Sequence, residues 1–428
     1  MILNKKSFID RTVIGAALFS MFFGAGNMIF PPFLGLKGGT DWFWGFLGYY
    51  IADIGLAIIA LIARARTKEN ESIFAPVGKY AAEILMFCIV LCIGPFISIP
   101  RTAATTYELS ILPLLPEFYM PLFYIIFFGA VLLLCIKESA VVDIVGKILT
   151  PLLFIGLLFL IIKGAISPVG EIIKPRTHGI IADGIESGYQ SLDVMAAIIF
   201  GVIILNAVKS RGYIDYNSKI KISATAGIIS GIGLMIVYLG LTYLGATASS
   251  LYDMHTTRTQ LLVGLIQAII PGKLGLIFFA IIAGLACLST AIAITSSAAK
   301  YFALATKQKV NYKTFVAIIC VFGAVVSSFG VEQLIVIASP ILNIIYPPVL
   351  VLVLLSFFGK RLHVLAYRLS ALVALIMGII GTLPSFGIRP EFLYVLPFAD
   401  IGLAWIVPSV VFGVIGAMIG IFKTHKIP

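Results

Sequence analysis

Long apolar stretches alternate with short polar connections over almost the whole chain. About 20 predominantly apolar residues let a helix cross the hydrocarbon core of a bilayer. Twelve stretches approach or exceed that length and are predicted as transmembrane helices: 12–35, 41–63, 77–100, 119–136, 142–166, 190–208, 221–247, 274–303, 313–330, 332–357, 367–386 and 402–422. Pro95 and Pro100 interrupt the third; Pro340, Pro347 and Pro348 interrupt the tenth. Glycine pairs at helical spacing, Gly227 with Gly231 and Gly416 with Gly420, read as seams where helices approach closely. No polar segment is long enough to form a soluble domain, so residues 1–428 read as a single integral membrane domain of all-α, polytopic class.

Three of these stretches break their own apolar pattern. The first contains Phe22-Phe23-Gly24-Ala25-Gly26-Asn27 at mid-span, followed by Pro31-Pro32. An unpaired backbone group in hydrocarbon costs several kcal/mol. Such a break is tolerated where the freed N–H and C=O groups face a ligand or ion cavity, as in the broken helices of secondary transporters. A kinked packing helix, with Gly24 and Gly26 admitting a neighbour, is the plainer reading.

The second break is Gly188-Tyr189-Gln190-Ser191-Leu192-Asp193, between the short run 180–187 and the apolar run 194–208. Two half-helices would explain it. The first and sixth spans are five apart, so they cross in opposite directions, as an inverted five-plus-five repeat requires. Asp193 then lies within the bilayer, where a carboxylate is costly and usually functional; otherwise it is an N-cap at the surface.

The third is Ala286-Cys287-Leu288-Ser289-Thr290 in the eighth span. Adjacent hydroxyls in an apolar helix commonly bond back to their own backbone. Combined with the Ala286 carbonyl and the carbonyls freed at Ser20 and Phe23, however, the Ser289 and Thr290 hydroxyls make five neutral oxygens, a set suited to Na⁺. Thr295, Ser296 and Ser297 follow one to two turns on, along an inner pathway.

Composition and charge fit this picture. Mean hydropathy is +1.10. Apolar residues make up 60% and charged residues 11%, against about 25% charged in soluble domains. With the N-terminus placed inside and twelve spans alternating, twenty-two of the 30 basic residues fall inside and eight outside, a strong positive-inside bias. Both termini are therefore predicted to be cytoplasmic. The net charge of +11 is spread over short loops; it requires no nucleic-acid partner and suits anionic headgroups. The first span is too long for a cleavable signal peptide and no A-x-A site follows it. Cys88 and Cys92 lie one turn apart without further ligands, and no nucleophile triad, phosphate loop or paired acid–base carboxylates stand out, so neither a metal centre nor an enzyme is expected.

Six segments resemble the branched-chain amino acid:cation symporter family, the bacterial LIV-II carriers of BrnQ type. They are FSMFFGAGNMIFPPFLG (19–35), IGPFISIPRTAATTYE (93–108), GYQSLDVMAAIIFGVIILNAVKSRG (188–212), ACLSTAIAIT (286–295), SPILNIIYPP (339–348) and GLAWIVPSVV (402–411), in the family's order. The resemblance implies secondary active import of leucine, isoleucine and valine across the bacterial cytoplasmic (inner) membrane, driven by Na⁺ or, in some relatives, H⁺. It also implies a LeuT-type fold: a first inverted repeat in 1–166, a second in 180–357, and two extra helices in 367–422. No cofactor is implied. The partners are the amino acid and the lipid bilayer, and one chain is expected to suffice for function. A carrier of this fold with H⁺ coupling or another neutral amino acid is the alternative.

By position, the resemblance places Gly24, Ala25, Gly26 and Asn27 at the substrate carboxylate, with the N–H groups of Ala25 and Gly26 offering a positive helix end. It places Ser20, Phe23, Ala286, Ser289 and Thr290 around Na⁺. Asn27 and Ser191 match part of a second sodium position; the span-seven asparagine that completes it elsewhere has no counterpart, so one Na⁺ is expected. Substrate ammonium would meet span-six carbonyls near Gln190 and Ser191, with Asp193 as charge partner. Phe22, Phe96, Ile97 and Ile294 would wall the side-chain pocket. Asp53, where the family suggests an uncharged residue, is a candidate for pairing with Arg101 or, with Asp193, for proton coupling. Arg101 and Glu108 are a candidate gate pair or structural link.

Overall fold

The computed structural model of the chain describes residues 2–67, 71–136 and 150–424, and every regular element among them is helical. Helices α1 (Ile2–Phe22) and α2 (Ala25–Gly38) are two halves of one broken helix. Helices α3 (Trp42–Tyr50) and α4 (Leu56–Arg66) run on through a widened turn, Ile51–Gly55, which carries Asp53. Helices α5 (Lys79–Leu91) and α6 (Ser98–Thr106) are parted at Gly94, whose ψ of −117 leaves the helical region beside Pro95. Then come α7 (Met120–Ile136), α8 (Thr150–Ile166), α9 (Ile180–Ser191) and α10 (Asp193–Ser210). They are followed by α11 (Tyr216–Thr247), α12 (Arg258–Ile269), α13 (Lys273–Ala305) and α14 (Tyr312–Ser327). The remainder is α15 (Val331–Leu355), α16 (Val364–Thr382), the short α17 (Glu391–Val395) and α18 (Ile406–Thr424).

Seven helical segments among the described residues are long and apolar enough to cross a membrane, and four shorter apolar helices accompany them. The chain is a multi-pass membrane protein. Large apolar side chains such as Ile125, Leu133, Ile155, Val321 and Val410 stand exposed on the outer helix faces, where hydrocarbon rather than water suits them.

The expected spans and the observed helices differ at a few ends. The third extends to Ile111 because Pro95 sits at a real break and Pro100 in the first turn of α6, where a missing N–H is tolerated. The tenth is continuous from Val331 to Leu355 with its three prolines inside. The connection after α11 holds a helix the apolar pattern did not reveal, α12; Thr257 and Gln260 cap it reciprocally, and the T-x-x-Q spacing was the available signal. The predicted start of the fifth span at 142 lies outside the described residues, as do Lys68, Lys137, Lys147 and Lys426 of the charge argument.

Helices α1 and α2 lie along α11, α9 along α3, α10 along α4 and α13 along α6, while α16 and α18 pair at the periphery. The tightest seam is α2 on α11. A Cβ on Gly35 would collide with the Thr242 carbonyl, and one on Gly245 with the Pro32 carbonyl, so backbones meet there directly. Gly227 and Gly231 face Ile58 of α4, and Gly416 faces the Leu365 backbone, which places both expected glycine pairs at helix contacts. Gly245→Leu should force α2 off α11 and lower the melting temperature of the purified protein by at least about 2–4 °C; an unchanged melting curve would refute this account of the seam.

Candidate functional site

The first break is built by two glycines and one amide. The last turn of α1 closes with Phe23 N donating to the Phe19 carbonyl at 2.8 Å. Gly24 is then extended (φ −130, ψ −162) and α2 begins at Ala25. Asn27, one turn into α2, reaches back so that its Oδ1 accepts from Gly24 N at 3.1 Å, satisfying a donor that hydrocarbon would leave bare. Both glycines sit in close approach to neighbouring side chains. A Cβ on Gly24 would sit 3.3 Å from the Thr290 methyl and hydroxyl, and one on Gly26 3.1 Å from Arg101 Nη2.

The second break turns on Leu192, which adopts a left-handed conformation (φ 72, ψ 8) between α9 and α10. That conformation costs a non-glycine residue about 1–2 kcal/mol, and such strain gathers at functional sites. The Leu192 side chain is buried and holds the turn in place. The break falls within the predicted stretch Gly188–Asp193.

The two breaks meet. Asn27 Nδ2 donates to Asp193 Oδ2 at 3.0 Å and to Asp53 Oδ2 at 3.3 Å, and also contacts the Tyr238 hydroxyl. Ser191 Oγ contacts both the Asp53 carboxylate and the Gly188 carbonyl; its one hydrogen serves one of them at a time. Asp53 is 0% exposed and Asp193 4%. Two hydrogens on Nδ2 thus face three acceptors, and two carboxylates lie side by side away from water. Such a pair needs compensating positive charge or a shared proton. Arg101 supplies one guanidinium beside the same cavity, donating through Nη1 to the Gln190 carbonyl at 2.6 Å.

Between the breaks lies a cavity of about 20 Å³, room for about one water. Phe22, Gly24, Ala25, Gly26, Asn27, Ser191, Asp193, Thr290 and Ile294 line it, all of them candidates from the sequence. Other candidates lie elsewhere. Phe96 is 50% exposed and tilts against Phe322; Ile97 is buried outside the cavity. Ile93 and Ser98, on either side of the kink at Gly94, line the cavity in place of these two. Gln190 offers its carbonyl rather than its side chain. Thr290 Oγ1 approaches the Phe23 carbonyl at 3.5 Å, and Ser289 Oγ donates to the Ala286 carbonyl at 2.8 Å. Ser20 and Ser289 open instead onto a larger cavity of about 410 Å³, lined also by Ser296, Ser297 and Lys300. The five candidate oxygen donors therefore straddle the wall between the two cavities.

Arg101 and Glu108 do not pair. Glu108 accepts from Thr259 Oγ1 at 2.7 Å and from Val331 N at 2.9 Å, tying α12 and α15 together. Beside it Glu332 accepts from the Arg258 guanidinium and, at 2.9 Å, from Arg258 N, while the guanidinium lies 4.4 Å over the Phe33 ring of α2. Asp53 likewise bonds to Asn27 and Ser191 rather than to Arg101.

Besides Ile93 and Ser98, two further site residues escaped the sequence reading in these roles. Arg101 lines the cavity between the breaks; its signal was an arginine in an apolar span, a functional candidate by default. Tyr238 carried no signal, since a tyrosine in an apolar helix reads as packing.

A helix bundle with two breaks in contact, buried carboxylates at the breaks and a cavity between them has the architecture of a secondary solute carrier. Comparison with known proteins says which. Residues 7–423 match the family described as branched-chain amino acid transport protein, and the chain belongs to that family, whose members are transport proteins and not enzymes. It is 35% identical over 413 residues to the branched-chain amino acid transport system 3 carrier protein of Pseudomonas aeruginosa, covering 94% of each chain. It is 33% identical to the Escherichia coli permease BrnQ, covering 94% of this chain and 93% of that one, and 33% identical to Bacillus subtilis BraB over 96% of each. Among solved structures, it shares the fold of Mhp1, a nucleobase-cation-symport-1 family transporter (TM-score 0.64, 16% identity, 97% of this chain and 93% of that one). A Na⁺-coupled sialic acid symporter is similar at a TM-score of 0.64 and 15% identity, over 96% and 90% of the two chains.

Asn27→Ala should leave Gly24 N and two carboxylates short of their shared partner. At about 1–3 kcal/mol per unsatisfied buried group, thermal unfolding in detergent should shift down by several degrees; an unshifted transition would mean that the Asn27 bonds contribute little.

Proposed function

We propose that the protein imports leucine, isoleucine and valine across the bacterial cytoplasmic membrane, each with one Na⁺ moving down its gradient. The observation that carries this reading is the contact between the two helix breaks, at Gly24 and Leu192, in a member of a branched-chain amino acid transport family. Twelve spans follow if α1–α2, α3–α4, α5–α6 and α9–α10 each count as one crossing and the short α12 and α17 do not cross, with 1–166 and 180–357 as inverted five-helix repeats and 367–422 as two added helices. Both termini are then cytoplasmic, in accord with the basic loops.

In this reading the positive end of α2, with the N–H groups of Ala25 and Gly26, receives the substrate carboxylate. The ammonium meets the carbonyls of Gln190 and Ser191 near Asp193, and Phe22, Ile93 and Ile294 wall the side chain. Each methylene in such a pocket discriminates by about 1–3 kcal/mol. Na⁺ takes the oxygens of Ser20, Phe23, Ala286, Ser289 and Thr290, so that its arrival draws α1 towards α13. One cation with one zwitterion carries net charge, and the membrane potential contributes about 2.3 kcal/mol per 100 mV. The outer cover made by Arg258, Glu332 and Phe33, opposed by the larger cavity at Ser20 and Lys300, fits alternating access by rocking about the breaks.

A second reading rests on Asp53 and Asp193 sharing one amide nitrogen: the coupling ion is H⁺, held by this pair. Uptake of labelled valine into liposomes, with a Na⁺ gradient against a K⁺-only control at matched potential and pH, separates the two. Accumulation only with Na⁺ supports the first reading; equal accumulation driven by a pH gradient alone supports the second. Thr290→Ala should raise the Na⁺ concentration for half-maximal uptake about tenfold or more while leaving the order of preferred amino acids intact. A changed order at unaltered Na⁺ dependence would count against the assigned ion position. Asp53→Asn should alter the pH profile of uptake only if H⁺ is coupled.

A further inference from the structure

Arg101 is a heavily buried charge to which the account above assigns no part in binding the substrate. It is 2% exposed, in the first turn of α6. The break at Gly94 and Pro95 re-aims that helix so that the guanidinium lines the cavity between the two helix breaks. Of its five N–H donors, Nη1 reaches the Gln190 carbonyl at 2.6 Å, and Nε has no hydrogen-bond partner. Its Cζ stands 5.5 Å from the Phe30 ring centroid, and no ion pair involves it among the described residues. A guanidinium that is buried, always charged and left with an unpartnered Nε is suited to receive an anion, and its planar fork matches a carboxylate in bidentate fashion.

Its place names the anion. Nη2 comes within 3.1 Å of where a Cβ on Gly26 would stand, so the guanidinium lies against the backbone at the start of α2. Two positive features, the helix end and the guanidinium, thus converge on the cavity, whose lining also carries the Asp193 carboxylate. A zwitterionic α-amino acid presents one negative and one positive pole. We infer that Arg101 is the principal receptor for the substrate α-carboxylate, discriminating amino acids from amines and amides of the same side chain. The carbonyl that Arg101 now holds, that of Gln190, is one expected to accept from the substrate ammonium. Substrate binding therefore exchanges one partner for another: the carboxylate takes the guanidinium and the ammonium takes the carbonyl. This assignment rests on the reading of the protein as an amino acid carrier.

The test compares valine with valinamide, which keeps the ammonium and side chain but not the negative charge, by calorimetric binding to purified protein in Na⁺. Wild type should bind valine at least about tenfold more tightly than valinamide. Arg101→Gln should weaken valine about 10–100-fold while changing valinamide by less than about threefold, and Arg101→Lys should recover part of the loss by restoring the charge without the fork. A purely structural arginine predicts equal loss for both ligands, and a preserved valine-to-valinamide ratio in Arg101→Gln overturns the proposal. So do equal affinities in wild type, a comparison that needs no variant. Absence of valine binding to wild type would instead overturn the carrier reading on which the assignment rests.

Discussion

Hydrocarbon offers no hydrogen bonds, so every amide released where α1 and α9 end has to be met from within the protein or by what it carries. The Asn27 carboxamide meets several demands together. Its oxygen accepts from Gly24 N and its nitrogen reaches Asp53, Asp193 and Tyr238. Those groups belong to the first break, the turn between α3 and α4, the start of α10 and the middle of α11. One side chain thereby holds four elements in register around the cavity. The glycines beside it and the left-handed Leu192 are the local conditions that let these elements approach so closely.

The electrostatics of the cluster follow from its dryness. Two carboxylates and one guanidinium share the space between the breaks, with Asp53 and Arg101 at 0% and 2% exposure. Uncompensated charge is very costly there. In the proposed reading, a zwitterion brings no net charge and presents one pole of each sign, while a monovalent cation or a proton offsets the remaining negative charge.

The two sides of the bundle are built differently. Beyond α2, Arg258 of α12 is clamped by Glu332 of α15 and stacked on Phe33, with Glu108 joining the same elements. Below the breaks, Ser20 and Ser289 border a cavity of about 410 Å³, whereas the space between the breaks is about 20 Å³. Admitting an amino acid to that narrow space requires α1, α2 or α6 to shift. The break at Gly94 and the widened turn at Ile51–Gly55 are places where the helical hydrogen-bond pattern is already altered, so rigid segments can rock about them.

The sequence alone determined the membrane class, the order of the apolar helices and the positions of both breaks. Apolar run length, and glycine or polar residues within a run, are local signals that hydrocarbon makes strong, although a kinked packing helix and a surface N-cap were also compatible with the two breaks. It also marked Asn27, Ser191, Asp193 and Thr290, because a polar group in an apolar helix needs a reason to be there. What only the tertiary structure decided is which groups meet. Arg101 sits with Gly26 and Gln190 rather than with Glu108, Asp53 and Asp193 share Asn27, and Ile93 and Ser98 replace Phe96 and Ile97 at the cavity. The direction a side chain takes after a kink depends on the φ and ψ of one or two residues, here Gly94 and Ile97. A rotation there re-aims everything beyond it, and no spacing along the chain encodes that angle.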